Sequence, residues 1–193
     1  RGVPIVGSLW RCIMLSWTRS SAGTAPRFCC GLTWARPGPR PLARRGDEPV
    51  VWYQDFSDME VPLGRGEQLG SFEAVFSRRD RSGQPERIWD RKTGKIDRKV
   101  AESWKPFDIR ERLEKNWKTL GPKLAGKLHV YTGGLDTFYL EGAVVRLKDT
   151  LARLGSDAAI EVVPGKDHGS LMDAQMRKRI ADEIAAAARK AGG

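Results

Sequence analysis

Aspartate, glutamate and lysine are all missing from the first 46 positions of this 193-residue chain. Eight arginines (Arg1, Arg11, Arg19, Arg27, Arg36, Arg40, Arg44 and Arg45) sit there instead. They supply most of the formal net charge of +10, and the remaining residues hold 26 basic side chains against 24 acidic ones. The basic character therefore belongs to one segment, which argues against a nucleic-acid-binding domain as a whole. Cysteine is scarce as well: Cys12, Cys29 and Cys30 lie in the same segment, at no spacing that suits zinc. Histidine is scarcer still, with only His129 and His168. No metal or other cofactor is expected. No apolar run approaches the roughly 20 residues that cross a bilayer, so no membrane span is expected. The length suffices for one domain with a substantial core.

Residues 1–46 are compositionally foreign to the rest. Pro26, Pro37, Pro39 and Pro41 block long helices and remove ladder donors. Residues 3–17 are apolar enough for a signal-peptide core, but Arg11 interrupts them and almost nothing precedes them. An acid-free, Arg- and Ser-rich stretch also resembles an organellar transit peptide. A third reading, the one favoured, is an out-of-frame translation of GC-rich DNA, which yields much Arg, Pro, Gly, Trp and Cys. With Arg1 as first residue, the chain reads as a fragment or a processed product. Residues 1–46 are expected to be poorly ordered or non-native, adding no regular strand to the sheet.

Composition becomes ordinary over 47–106, read as short helices and long loops rather than regular sheet. DRSGQPE and DRKTGK read as turns, and residues 96–104 as a short helix with Asp97 near its start. Patterning is strong over 107–193. Asp108 is a candidate N-cap for a helix carrying Ile109, Leu113, Trp117 and Leu120, ended by Gly121-Pro122. A strand over 127–132 closes at Gly133-Gly134. Leu140, Val144, Leu147, Leu151 and Leu154 then form one face of a helix with Gly155 as its cap. A second strand over 158–163 closes at Pro164-Gly165, and Met172, Met176, Ile180 and Ile184 mark a last helix. Both helical stripes should face a sheet containing Leu128, Val130, Ile160 and Val162. Strands separated by a helical crossover are parallel, so the expected fold class is α/β with few parallel strands and flanking helices.

Asp136 follows the first of these strands and His168 the second. Reactive groups in open α/β sheets gather beyond the carboxyl ends of the strands, so the two side chains should rise from one rim. An imidazole acting as general base needs a carboxylate on its other nitrogen to fix the tautomer and stabilise the imidazolium. The structural alternative has Asp136 capping the following helix and His168 in a loop nearer to Asp167 or Asp173. His129, inside a strand, is read as structural.

GKLHVYTGGLDTFYLEGAVVRL together with GKDHGSL resembles the C-terminal third of α/β-hydrolase esterases of the enterochelin-esterase-like bacterial group. The block from AVFSRRDRSGQPERIWDRKTGKID to LAGK is similar to a bacterial branch of that group. The resemblance spans about residues 47–193 and implies a partial α/β-hydrolase domain, a serine nucleophile, a small-molecule ester substrate and an acyl-enzyme. By position Asp136 matches the family's acid and His168 its base. The chain departs from the family at the nucleophile. A G-x-S-x-G elbow would fall near residues 15–30, where the sequence offers only Arg19-Ser20-Ser21-Ala22-Gly23. Ser21 lacks the leading glycine that a tight strand-to-helix turn uses. Ser8 and Ser71 fit less well.

The reading is thus a serine-type carboxylic ester hydrolase, incomplete and inactive as this isolated chain. Its rival is a catalytically silent binding module on the same α/β half-fold. Nucleic-acid binding through the arginines and Trp10, Trp17 and Trp34 would need an ordered stacking platform that the segment does not supply.

Overall fold

A computed structural model describes residues 40–63 and 68–192. Ser8, Ser21 and the three cysteines lie outside the described residues. Among the described residues the fold is mixed α/β, with more helix than strand and two small sheets, one of them parallel. Among the described residues no helix is long and apolar enough to cross a membrane.

The chain enters through a hairpin, β1 (Pro41–Arg45) and β2 (Glu48–Trp52), paired antiparallel. This corrects the reading of 47–106 as short helices and loops rather than regular sheet; residues 41–45 also form a strand, in a sheet separate from the parallel one. Two five-residue strands separated by Gly46-Asp47 form a two-residue hairpin, and Gly46 supplies the left-handed turn residue with φ +59°. Pro41 is tolerated because it is the first residue of its strand. Leu42 and Ala43 are buried, so this part of the Arg-rich segment packs.

Residues 53–107 build a first core. Helices α1 (Tyr53–Leu63), α2 (Gln68–Phe76) and α3 (Arg98–Trp104) surround Leu69, Phe76, Ile88, Trp89, Val100 and the fully buried Trp104. The two expected turns form through their aspartates. Asp80 accepts from the Ser82 and Gln84 amides, and Asp90 from those of Lys92 and Thr93. Asp97 caps α3 by accepting from the Lys99 and Val100 amides. WDRKTGKID is a structural element: Arg91 stacks on Trp89 and grips buried Glu73 with two nitrogens, at 3.2 and 2.8 Å. Burial pushes the Glu73 carboxyl above its usual range, and Arg91 opposes the shift.

The second core belongs to residues 109–192. Asp108 caps α4 (Ile109–Leu124) by accepting from the Glu111 amide at 3.0 Å. This helix runs beyond the expected stop at Gly121-Pro122. It has already kinked at Asn116, whose side-chain amide donates to the Arg112 carbonyl, and the missing Cβ of Gly121 leaves room for the Trp117 ring. Strand β3 (His129–Gly133) leads through α5 (Glu141–Arg153) to β4 (Ala159–Val163), which pairs with β3 in parallel. Gly155 ends α5 in the left-handed conformation, φ +69°. The α5 stripe of Leu140, Val144, Leu147 and Leu151 is buried. Leu147 and Leu151 pack with Leu113, Leu128, Val130 and Ile160.

The last helix, α6 (Ala174–Gly192), departs from expectation. Met176 is buried, but Met172 is 37% and Ile184 57% exposed. Polar contacts dock this helix instead. Glu183 accepts from the Tyr131 hydroxyl and lies 2.9 Å from His129 Nδ1, and Arg179 pairs with Glu161. His129 is thus a structural residue at the start of β3. Because Leu147 is buried against the sheet, Leu147→Ala is expected to cost about 2–5 kcal/mol in denaturant unfolding. A loss under about 0.5 kcal/mol would place it on the wrong face.

Candidate active site

The site exists because two loops cross at a glycine. A Cβ on Gly133 would stand 2.2 Å from the Lys166 carbonyl oxygen and 2.7 Å from its carbon, a clash that only glycine avoids. The chain leaving β4 therefore runs directly over the end of β3. The Gly134 amide donates to the Val163 carbonyl at 2.8 Å, and the Leu135 amide to the Lys166 carbonyl at 2.9 Å. Gly133→Ala is expected to push these loops apart and destabilise the fold by roughly 1–3 kcal/mol. Loss of the downfield His168 ring proton would accompany it in NMR spectra, and an unchanged signal would separate the crossing from the site.

Each loop also shapes itself. Asp167 accepts from the Gly169 and Ser170 amides and from the Ser170 hydroxyl, at 3.0, 2.7 and 2.8 Å. Those bonds from Ser170 hold the Asp167 carboxyl below its usual range. Asp173 accepts from the Met176 amide at 2.9 Å and from Lys166 at 2.8 Å, and its carboxyl is likewise held low, first by Lys166 and then by Met176. Both nearer acids are therefore committed to loop and helix geometry rather than to His168.

His168 turns to Asp136. Its Nδ1 lies 2.9 Å from Asp136 Oδ2. The acid is 2% exposed and the imidazole 42%, so a buried carboxylate backs a ring that meets solvent. Phe138 stands edge-on to the ring, with centroids 5.1 Å apart. A carboxylate only accepts, so Nδ1 carries the proton and Nε2 becomes the basic nitrogen. Asp136 Oδ1 accepts from the Phe138 amide at 2.9 Å and the Leu140 amide at 3.3 Å. Oδ1 thus braces the turn ahead of α5 rather than capping that helix, which has Leu140 at its N-cap and no side-chain cap bond, while Oδ2 takes the pairing role weighed in the sequence.

Sequence reasoning missed Arg44. Its guanidinium donates to the Asp136 carbonyl at 3.0 Å and to Glu141 at 2.6 Å, and lies 4.6 Å from the centroid of the Tyr139 ring. The one usable signal was Gly46-Asp47 between two short strand-like runs, which marks a hairpin. Nothing local ties that hairpin to an acid loop 92 residues later. Ser71 lies exposed on α2 and donates to the Gln68 carbonyl. No group of three or more His, Cys, Asp or Glu residues suited to a metal occurs among the described residues.

No family model matches the chain, and no curated protein or solved structure matches it either.

Proposed function

We propose that the chain carries the acid–histidine pair of a serine-type carboxylic ester hydrolase, on the C-terminal part of an α/β-hydrolase fold, and is incomplete as it stands. The observation that carries this reading is the 2.9 Å contact between His168 Nδ1 and a buried carboxylate, at the carboxyl ends of two parallel strands. With Nδ1 engaged by the acid, Nε2 is the nitrogen that would take the proton of a serine hydroxyl as its oxygen attacks the ester carbonyl. Asp136 steadies the imidazolium so formed. The proton then passes to the departing alkoxide, and water, deprotonated by the same nitrogen, cleaves the acyl-serine ester.

The silent-module reading accounts for Asp136 Oδ1, which accepts from the Phe138 and Leu140 amides of its own turn. It gives no reason for Oδ2 to meet His168. The resemblance would put the serine near residues 15–30. Ser21 is the nearest match there, and it lacks the leading glycine of an elbow.

The test is hydrolysis of p-nitrophenyl acetate. The 193-residue chain is expected to give only background. A chain whose segment before Arg40 is replaced by in-frame upstream sequence with a G-x-S-x-G elbow is expected to turn over. No turnover in that chain would sink the proposal.

A further inference from the structure

The acid loop is held from β1 as well as by its own bonds. Tyr139 adopts φ 60°, a left-handed conformation costly for a bulky residue. Its amide donates to the Asp136 carbonyl at 3.1 Å, so the strained turn and the acid share one atom. Arg44 reaches that same carbonyl from β1. Its Nε donates to Asp136 O at 3.0 Å, one terminal nitrogen bonds Glu141 at 2.6 Å, and the guanidinium plane lies over the Tyr139 ring. The Arg44 backbone amide adds a bond to the Thr137 carbonyl at 2.9 Å. The side chain is 11% exposed and its Glu141 partner 21%.

Glu141 has a reason to keep this partner. Its Oε2 is buried without a hydrogen bond. Burial pushes its carboxyl above the usual range and the neighbouring Asp136 charge adds to that, while its own amide and Arg44 pull it back. One planar cation thus binds the turn at its carbonyl, its strained aromatic and its half-buried acid. A lysine ammonium cannot span the three, since it offers a point charge rather than a fork.

We propose that Arg44 is a positioning residue for the His168–Asp136 pair: it clamps the 136–141 turn so that Oδ2 of Asp136 faces His168 Nδ1. The inference rests on the proposed function for its catalytic meaning, and on the hairpin contacts for its physics. Sequence distance is no obstacle, because β1 is bonded directly to the turn it clamps.

The experiment is NMR of the full chain with ring-15N histidine, which reads the tautomer of the ring. A carboxylate on Nδ1 keeps the proton there, whereas a histidine without one favours the Nε2–H form. Wild type is expected to show His168 mainly as Nδ1–H, and Asp136→Ala mainly as Nε2–H. Arg44→Ala and Arg44→Lys are expected to reverse the ratio as Asp136→Ala does, in chains whose amide spectra remain dispersed. A change that only lowered stability would leave the tautomer of the folded chain unaltered. Retention of the Nδ1–H form in either folded Arg44 variant overturns the proposal while leaving the pair intact. Failure of both variants to fold also overturns it, since Arg44 would then serve the fold rather than the pair. If Asp136→Ala leaves the tautomer unchanged, the pair itself fails, and the proposed function with it.

Discussion

His168→Ala, made in a chain completed with a nucleophile elbow, is expected to lower kcat by roughly 10⁴-fold or more. The reason is specific to this geometry. A serine hydroxyl is a weak nucleophile until a base takes its proton, and the base that the acid loop orients is His168. KM should move little, because the imidazole acts in the transition state rather than in substrate binding. Asp136→Ala should follow the same pattern, since it releases the ring from its Nδ1–H tautomer and strips the imidazolium of its buried counter-charge. The double variant should be scarcely worse than either single one, because the two residues act as a unit. A loss under about tenfold for His168→Ala would mean that another base does the work.

Trp104→Ala is expected to cost about 3–5 kcal/mol of stability. Trp104 is fully buried at the centre of the first core. Its ring packs on Phe76 at 5.3 Å, and its indole N–H donates to the Ser77 hydroxyl at 2.9 Å. Truncation opens a cavity among Leu69, Ile88 and Val100 and removes the partner of Ser77. Urea unfolding followed by far-UV circular dichroism should show a lower midpoint. A loss below about 1 kcal/mol would show that this cluster collapses to fill the space.

Local rules carried the sequence reading at several caps, though not at Gly121-Pro122, which α4 overruns, nor at the Gly46-Asp47 hairpin. Asp97 and Asp108 cap their helices as their positions imply, and Gly155 ends α5. Periodicity placed the α5 stripe against the sheet because a helix between two parallel strands has one face to bury. The same rule half failed on α6. There Glu183 and Arg179 hold the helix to the strands through polar contacts, and Met172 and Ile184 remain at the surface. Asp136 and His168 were legible because each follows a strand, and the order of strands in a parallel crossover decides which loops share a rim. Arg44 was not legible. Its role depends on a hairpin docking onto a loop 92 residues away, and composition had set its segment apart. The Gly133 crossing was equally hidden, since a glycine that ends a strand and one that admits a second backbone read alike.

The central claim is that His168 activates a serine. It is tested most directly by mass spectrometry of the completed chain, quenched within the burst of its reaction with an aryl ester. The account predicts one acyl group per chain, carried on the elbow serine upstream of Arg40, and no such adduct in the His168→Ala variant. An acyl group found on another residue, or serine acylation that persists at the same rate without His168, would contradict it.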